Sequence, residues 1–147
     1  MKKYICLLSF LCIANLNAQI DPVKYPTYTD IEAALKSDKT VYSLSFRDKG
    51  LFNLPPDIRK MNSVFFLNMM GNNFEKLDEA LFSLSQLQIL NINENSIKYI
   101  PDEISKLKKL TTFSMNLNQL TELNPEFAKL TGLHNFLCRH YADSWNA

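Results

Sequence analysis

An excess of charge of either sign is missing from this sequence: 16 Lys and Arg stand against 15 Asp and Glu in 147 residues. So balanced a chain is not built to bind nucleic acid or an anionic membrane through bulk electrostatics. Long apolar runs are missing too. Residues 5–14 (ICLLSFLCIA) form the one compact run, too short to span a bilayer, so no membrane span is expected. Cysteine is scarce, at three, and glycine equally so. No phosphate-binding loop, nucleophile elbow or paired carboxylate in a predicted pocket can be read along the chain.

The short apolar run has a particular setting. Lys2 and Lys3 precede it, and Asn15, Leu16, Asn17 and Ala18 follow as a polar exit ending in a small residue. That order is the pattern of a secretory signal peptide over residues 1–18, with cleavage between Ala18 and Gln19. Leu16 is larger than the position three before a cut prefers, which leaves the site open by a few residues. Removing the leader takes two of the 16 basic residues and leaves 14 against 15 acidic ones, a formal charge of −1. It also removes Cys6 and Cys12. Cys138 then stands alone, so the fold must be held by its core and not by disulfides. Lipid attachment requires a small residue before the modified cysteine, and Leu11 and Ile5 do not fit. The expected destination is the periplasm, the cell surface or the medium.

What the sequence does have is a period of 23 residues from Val41. Four units follow one another at 41–63, 64–86, 87–109 and 110–132, and a fifth begins at Leu133. The first position reads Val41, Val64, Leu87, Leu110 and Leu133. The fourth reads Leu44, Leu67, Leu90, Phe113 and Phe136; the sixth reads Phe46, Met69, Ile92, Met115 and Cys138. Further apolar positions hold Leu51, Phe74, Ile97 and Leu120, then Leu54, Leu77, Ile100 and Leu123. The last two hold Ile58, Leu81, Ile104 and Phe127, then Met61, Leu84, Leu107 and Leu130. Alternation at the fourth and sixth positions predicts a short strand with its apolar side inward. The later positions predict a return segment pressing on the same core. One unit cannot bury that stripe alone, so the units must stack into a solenoid.

The ninth position reads Lys49, Asn72, Asn95, Asn118 and Tyr141. An inward asparagine where the strand turns away can satisfy backbone groups that leave the sheet there, in coil after coil. Asn72, Asn95 and Asn118 are therefore expected to form a structural ladder.

The segment LQILNINENSIKYIPDEISKL resembles the leucine-rich-repeat consensus in its 23-residue form, with a Leu-Pro-x-x-Ile return segment at 54–58 and 100–104. Asn124-Pro125 displaces that proline by one place, and Leu77-Asp78 lacks it. The resemblance extends over 41–132, or 92 residues. It implies an α/β solenoid: a right-handed superhelix with a short parallel β-sheet on its concave face. It points to fold far more than to function.

Solenoid ends need covering. Pro22 and Pro26 keep the start of 19–40 extended or looped, and Thr29 with Glu32 forms a capping-box pattern. A short helix over 30–37, with Ile31, Ala34 and Leu35 on one face, is expected as the N-terminal cap. The C-terminal stretch 133–147 starts as a fifth strand and loses the pattern at Tyr141. It reads either as a minimal cap, with Tyr141 and Trp145 over the last coil, or as the stump of a longer array. An open last coil would allow end-to-end self-association.

Strand positions facing away from the core line the surface where solenoid partners usually dock. Ser45, Asn68, Asn91, Asn93, Ser114 and Asn116 form a neutral hydrogen-bonding strip there. Phe66, Met70 and Ile89 add apolar side chains where polar ones are usual, with Phe65 beside them. This combination suits a protein or peptide ligand and would also suit a glycan; amide ladders that merely stabilise the sheet would produce the same strip. His134, Cys138, His140 and Asp143 supply metal-ligand types, but Cys138 sits in an inward register and His140 in an outward one. Lys106, Lys108 and Lys109 fall on a return segment as a solvated face. No catalytic residue, metal or cofactor is expected. The expected function is that of a non-catalytic interaction module, or else an adhesin or envelope scaffold cut from a longer array.

Overall fold

A computed structural model describes residues 25–139. The expected leader and its cleavage site, and His140, Tyr141, Asp143 and Trp145, lie outside the described residues.

The chain runs through β1 (Thr27–Tyr28), α1 (Ile31–Leu35) and β2 (Ser43–Ser45), then alternates 3₁₀ turns with strands. These are η1 (Pro56–Lys60), β3 (Phe66–Asn68), η2 (Glu79–Ser83), β4 (Ile89–Asn91), η3 (Asp102–Lys106), β5 (Thr112–Ser114), η4 (Pro125–Lys129) and β6 (Asn135–Leu137). The six strands form one parallel sheet in sequence order. From β2 onward each step moves one period: Leu44 lies beside Leu67, Leu67 beside Leu90, Leu90 beside Phe113, and Phe113 beside Phe136.

In such a register, residues of one position stack about 4.8 Å apart and form a continuous ridge. Leu44, Leu67, Leu90 and Phe113 are fully buried, and so are Ile58, Leu81 and Ile104 from the return side. Strands pack more closely than the bulkier return segments, so the solenoid curves toward its sheet, which lines the concave side. The return segments are 3₁₀ and not α-helical. Five residues make little more than one α turn, whereas a 3₁₀ turn rises about 2.0 Å per residue and covers the return with fewer residues. Each is closed in the same way, by Met61, Leu84, Leu107 or Leu130 donating its N–H to the carbonyl three residues back.

Backbone pairing continues past the strands proper. Phe46, Met69, Ile92 and Met115 donate to Asn68, Asn91, Ser114 and Leu137 at 2.7–2.8 Å. Two residues later Asp48, Gly71, Glu94 and Leu117 donate to Met70, Asn93, Asn116 and Arg139. These four then turn the chain out of the sheet in the left-handed region, with φ of 55° at Asp48, 70° at Gly71, 55° at Glu94 and 56° at Leu117.

The N-terminal end is covered by α1, which is shorter than expected and capped differently. Asp30, not Thr29, is its N-cap, accepting the Ala33 N–H at 2.8 Å. Asp30 places its carboxylate within reach of the third helical N–H, so Glu32 is free to face Lys36 instead, at 3.7 Å. Ala34 is buried in the core and Ile31 packs against it, while Leu35 is exposed. Sequence reasoning missed β1 altogether. Its two residues pair with Ser43 and Leu44, and Thr27 and Ser43 join hydroxyls at 2.7 Å.

At the other end three rings close the stack. Phe113, Phe127 and Phe136 lie 5.1–5.8 Å apart. Two apolar positions depart from expectation there. Leu123, in the same position as buried Leu54, Leu77 and Ile100, is half exposed because no further described coil packs over it. Cys138, expected inward, is exposed just past β6 for the same reason.

Candidate functional site: the outer face of the sheet

Two sets of asparagines occupy the strand ends, and their geometries differ. Asn72, Asn95 and Asn118 point into the turn. The Asn72 carboxamide accepts the N–H groups of Lys49 and Leu51 at 3.1 and 2.9 Å, and donates to the carbonyls of Phe46, Met69 and Met70. Asn95 accepts from Phe74 and donates to Met69, Ile92 and Asn93. Asn118 accepts from Ile97 and donates to Ile92, Met115 and Asn116. Each carboxamide therefore ties its own coil to the preceding one and satisfies backbone groups the sheet has released. All three are buried with both ends engaged.

The outer strip is built otherwise. Asn68 accepts the Met70 N–H and Asn91 accepts the Asn93 N–H, each at 3.0 Å. Asn93 accepts the Asn116 N–H and the Ser114 hydroxyl, both at 2.7 Å. Asn116 accepts the Arg139 N–H at 2.7 Å, and its amide nitrogen reaches Ser114 Oγ at 3.4 Å. The side-chain oxygen of every asparagine in the strip thus accepts from the protein.

Exposure on this face differs from the sequence expectation. Phe66 and Ile89, read as solvent-facing, are 4% and 8% exposed; they form a second apolar cluster with half-buried Tyr25, Phe65 and Leu137. Asn68, Asn91, Asn93, Ser114 and Asn116 are buried as well, while Ser45 and Met70 are partly open. In-register stacking at about 4.8 Å makes each side chain shade its neighbours, which a single strand's alternation does not reveal. The face is therefore a floor with a rim. Phe66 and Ile89 make the apolar floor, and the rim includes Phe65, Met70, Leu137 and an aromatic group. In that group Tyr25 meets Tyr42 and Phe65 edge-on, with ring centres 5.4 and 5.2 Å apart. Sequence reasoning missed Tyr25 and Tyr42, because Tyr25 reaches the face from outside the repeats.

Titratable chemistry is sparse here. Among the described residues every buried polar side chain is a serine, threonine or asparagine. The hydrogen bond from Lys129 holds the Glu126 carboxyl below its ordinary range, on the exposed start of η4. Of the four metal-ligand types near the C-terminus, His134 and Cys138 are described, and both are exposed.

A lateral cleft of about 560 Å³ lies along the return segments, lined by Asn53, Arg59, Lys76, Phe82, Tyr99 and Glu103 among others. Phe52 and Tyr99 are both more than half exposed beside it. It mixes charges of both signs and contains none of the sequence-predicted residues.

Residues 66–120 match the family described as leucine rich repeat. No curated protein matches the chain. Among solved structures, a leucine-rich-repeat protein of Leptospira interrogans is 20% identical over 74% of this chain and 40% of its own, with a TM-score of 0.55. An internalin of Listeria monocytogenes is 22% identical over 65% of this chain and 28% of its own, at 0.57. The functional domain of InlJ from the same organism is 20% identical over 78% of this chain and 23% of its own, at 0.54. The chain thus spans less than half the length of each of these structures, and at such identity the likeness is one of fold. With the 23-residue period, the sequential parallel sheet and the matched repeats all in agreement, this chain carries leucine-rich repeats over residues 66–120 and has the leucine-rich-repeat solenoid fold.

Proposed function

We propose that the chain is an exported, non-catalytic interaction module that binds a protein or peptide through the concave face of its sheet. The observation that carries this reading is the apolar floor of Phe66 and Ile89, rimmed by Tyr25, Phe65 and Leu137 on the side away from the core. A sheet needs no second apolar cluster there for its own packing, and such clusters on outer faces mark docking sites. The face is preformed on a repeating backbone, so little ordering entropy is lost on binding. Export rests on the charged, apolar and small-residue order of residues 1–18.

The test uses the rim, because a charge placed on the buried floor would disturb the sheet itself. Phe65→Glu with Met70→Glu should abolish enrichment of whatever the wild-type chain captures from an envelope fraction, with far-UV dichroism unchanged. Full capture by this double variant would exclude the concave face as the docking site.

A further inference from the structure

We infer that the outer asparagine strip reads hydrogen-bond acceptors, so that the partner is an extended peptide segment presenting carbonyl or carboxylate oxygens beside an aromatic or branched aliphatic side chain. This deepens the concave-face reading and rests on it.

The inference follows from which end of each carboxamide the backbone has claimed. A backbone N–H can be satisfied only by an oxygen. Met70, Asn93, Asn116 and Arg139 each donate a backbone N–H to an asparagine of the strip, which fixes the oxygen of Asn68, Asn91, Asn93 and Asn116 toward the protein. The amide nitrogens are thereby turned the other way. Asn116 spends its nitrogen on Ser114, and Asn91 has only the sulfur of Met70, at 4.0 Å. The amide nitrogens of Asn68 and Asn93 have no acceptor among the described residues, although these residues are only 5% and 3% exposed. No buried polar side-chain atom among the described residues lacks a partner, so both nitrogens still touch solvent at the floor of the face. Ser114 adds no acceptor to the face, since its hydroxyl donates to Asn93 and receives Asn116.

The strip therefore offers two unspent donors on residues that are only 5% and 3% exposed. A ligand oxygen placed there gains a bond that water makes poorly. A carbonyl or carboxylate oxygen satisfies such a donor without carrying a hydrogen on the same atom, as a sugar hydroxyl does. Phe66 and Ile89 sit two residues before Asn68 and Asn91 on the same side of their strands, about 7 Å away along the chain. One peptide residue can thus place its oxygens on the amides and its side chain on the floor.

The probes are N-acetylphenylalanine, which carries the ring and acceptor oxygens, and phenethylamine, which carries the same ring with donors alone. In nitrogen-15-labelled protein, N-acetylphenylalanine should shift the side-chain amide signals of Asn68 and Asn93 and the signals of Phe66 and Ile89. The Asn95 amide, committed at both ends, should stay in place. Phenethylamine should bind more weakly by about ten-fold or more. Asn68→Asp keeps the oxygen that holds the Met70 N–H and turns the outward donor into an acceptor. It should weaken N-acetylphenylalanine by a similar factor while leaving the unfolding midpoint near that of the wild type, and Asn93→Asp should do the same. Equal binding of the two probes, or undiminished binding by both variants, overturns the donor inference; if Phe66 and Ile89 still respond, concave-face docking survives it. If neither probe perturbs the outer face, both readings fall.

Discussion

At the scale of single residues, the lesson lies in one side chain used in two ways. Asn95 and Asn68 are both buried asparagines near a strand end, yet Asn95 spends its nitrogen on three carbonyls while that of Asn68 meets none among the described residues. The same substitution should therefore have opposite consequences. In Asn95→Asp the new oxygen would face the carbonyls of Met69, Ile92 and Asn93, with no donor left for them. We expect a loss of about 2–4 kcal/mol in urea unfolding, since a buried group left unsatisfied costs its full desolvation. In Asn68→Asp the loss should stay below about 1 kcal/mol, because the bond from Met70 survives. Comparable losses at the two sites would contradict this assignment of donors and acceptors. Residue type could not have separated them; position within the 23-residue unit does.

At the scale of elements, the strand-to-return corner is where the sequence is least ideal. The chain takes a left-handed φ at Asp48, Gly71, Glu94 and Leu117, and only one of these is glycine. For other residues that region costs about 1–2 kcal/mol each. The corner is held because the residue's own N–H stays in the ladder and, after Gly71, Glu94 and Leu117, the asparagine one place later pins the turn; after Asp48 the Lys49 N–H is taken by Asn72 of the next coil. At Gly71 the reason for glycine is local. A Cβ there would run into the Asp48 carboxylate of the preceding coil. Gly71→Ala should destabilise by about 1–2 kcal/mol in thermal unfolding. Combined with Asp48→Gly, which removes the obstructing carboxylate, Gly71→Ala should cost less than it does alone in the presence of Asp48. Purely additive effects would leave the left-handed φ at residue 71 as the whole cost.

How much of each element could be read in advance followed from its length and its pattern. The strands β2 to β6 were legible because alternation recurs five times in phase. Strand β1 was not, since Thr27 and Tyr28 carry no pattern and gain a partner only once Ser43 and Leu44 are in place. The return segments were legible as segments, but their 3₁₀ winding is set by how few residues span the distance. The burial of Phe66 and Ile89 depends on what stacks beside them and on Tyr25, which arrives from outside the period.

At the scale of the whole molecule, each coil contacts chiefly the ones before and after it, and stability is close to a sum of coil and interface terms. The central coils then have two neighbours and the end coils one good neighbour. Native-state hydrogen exchange should accordingly protect the Leu67 and Leu90 amides most. Protection should decline through Phe113 to Phe136 on one side and toward Leu44 on the other, where α1 and β1 supply a partial cover. Equal protection along the sheet would instead mark an all-or-none structure. The ridge of leucines and the period make this architecture legible in the sequence; the closing cluster of Phe113, Phe127 and Phe136 is not, because each ring occupies a position where a leucine or isoleucine serves elsewhere.

The inward asparagines also bear on how the protein ages. Loss of the amide from an asparagine leaves an acidic side chain, which at Asn72, Asn95 or Asn118 is the very change expected to break a coil. The reaction needs the carboxamide carbon free to meet the next backbone nitrogen, and the folded turn denies it by holding both ends of the group. Each transient opening of a corner exposes that carbon, and each chemical event during an opening prevents closure. Because that chemistry is far slower than the closing of a local opening, the expected rate of loss is set by the fraction of time each corner stands open, so whatever stabilises a corner also slows its ageing.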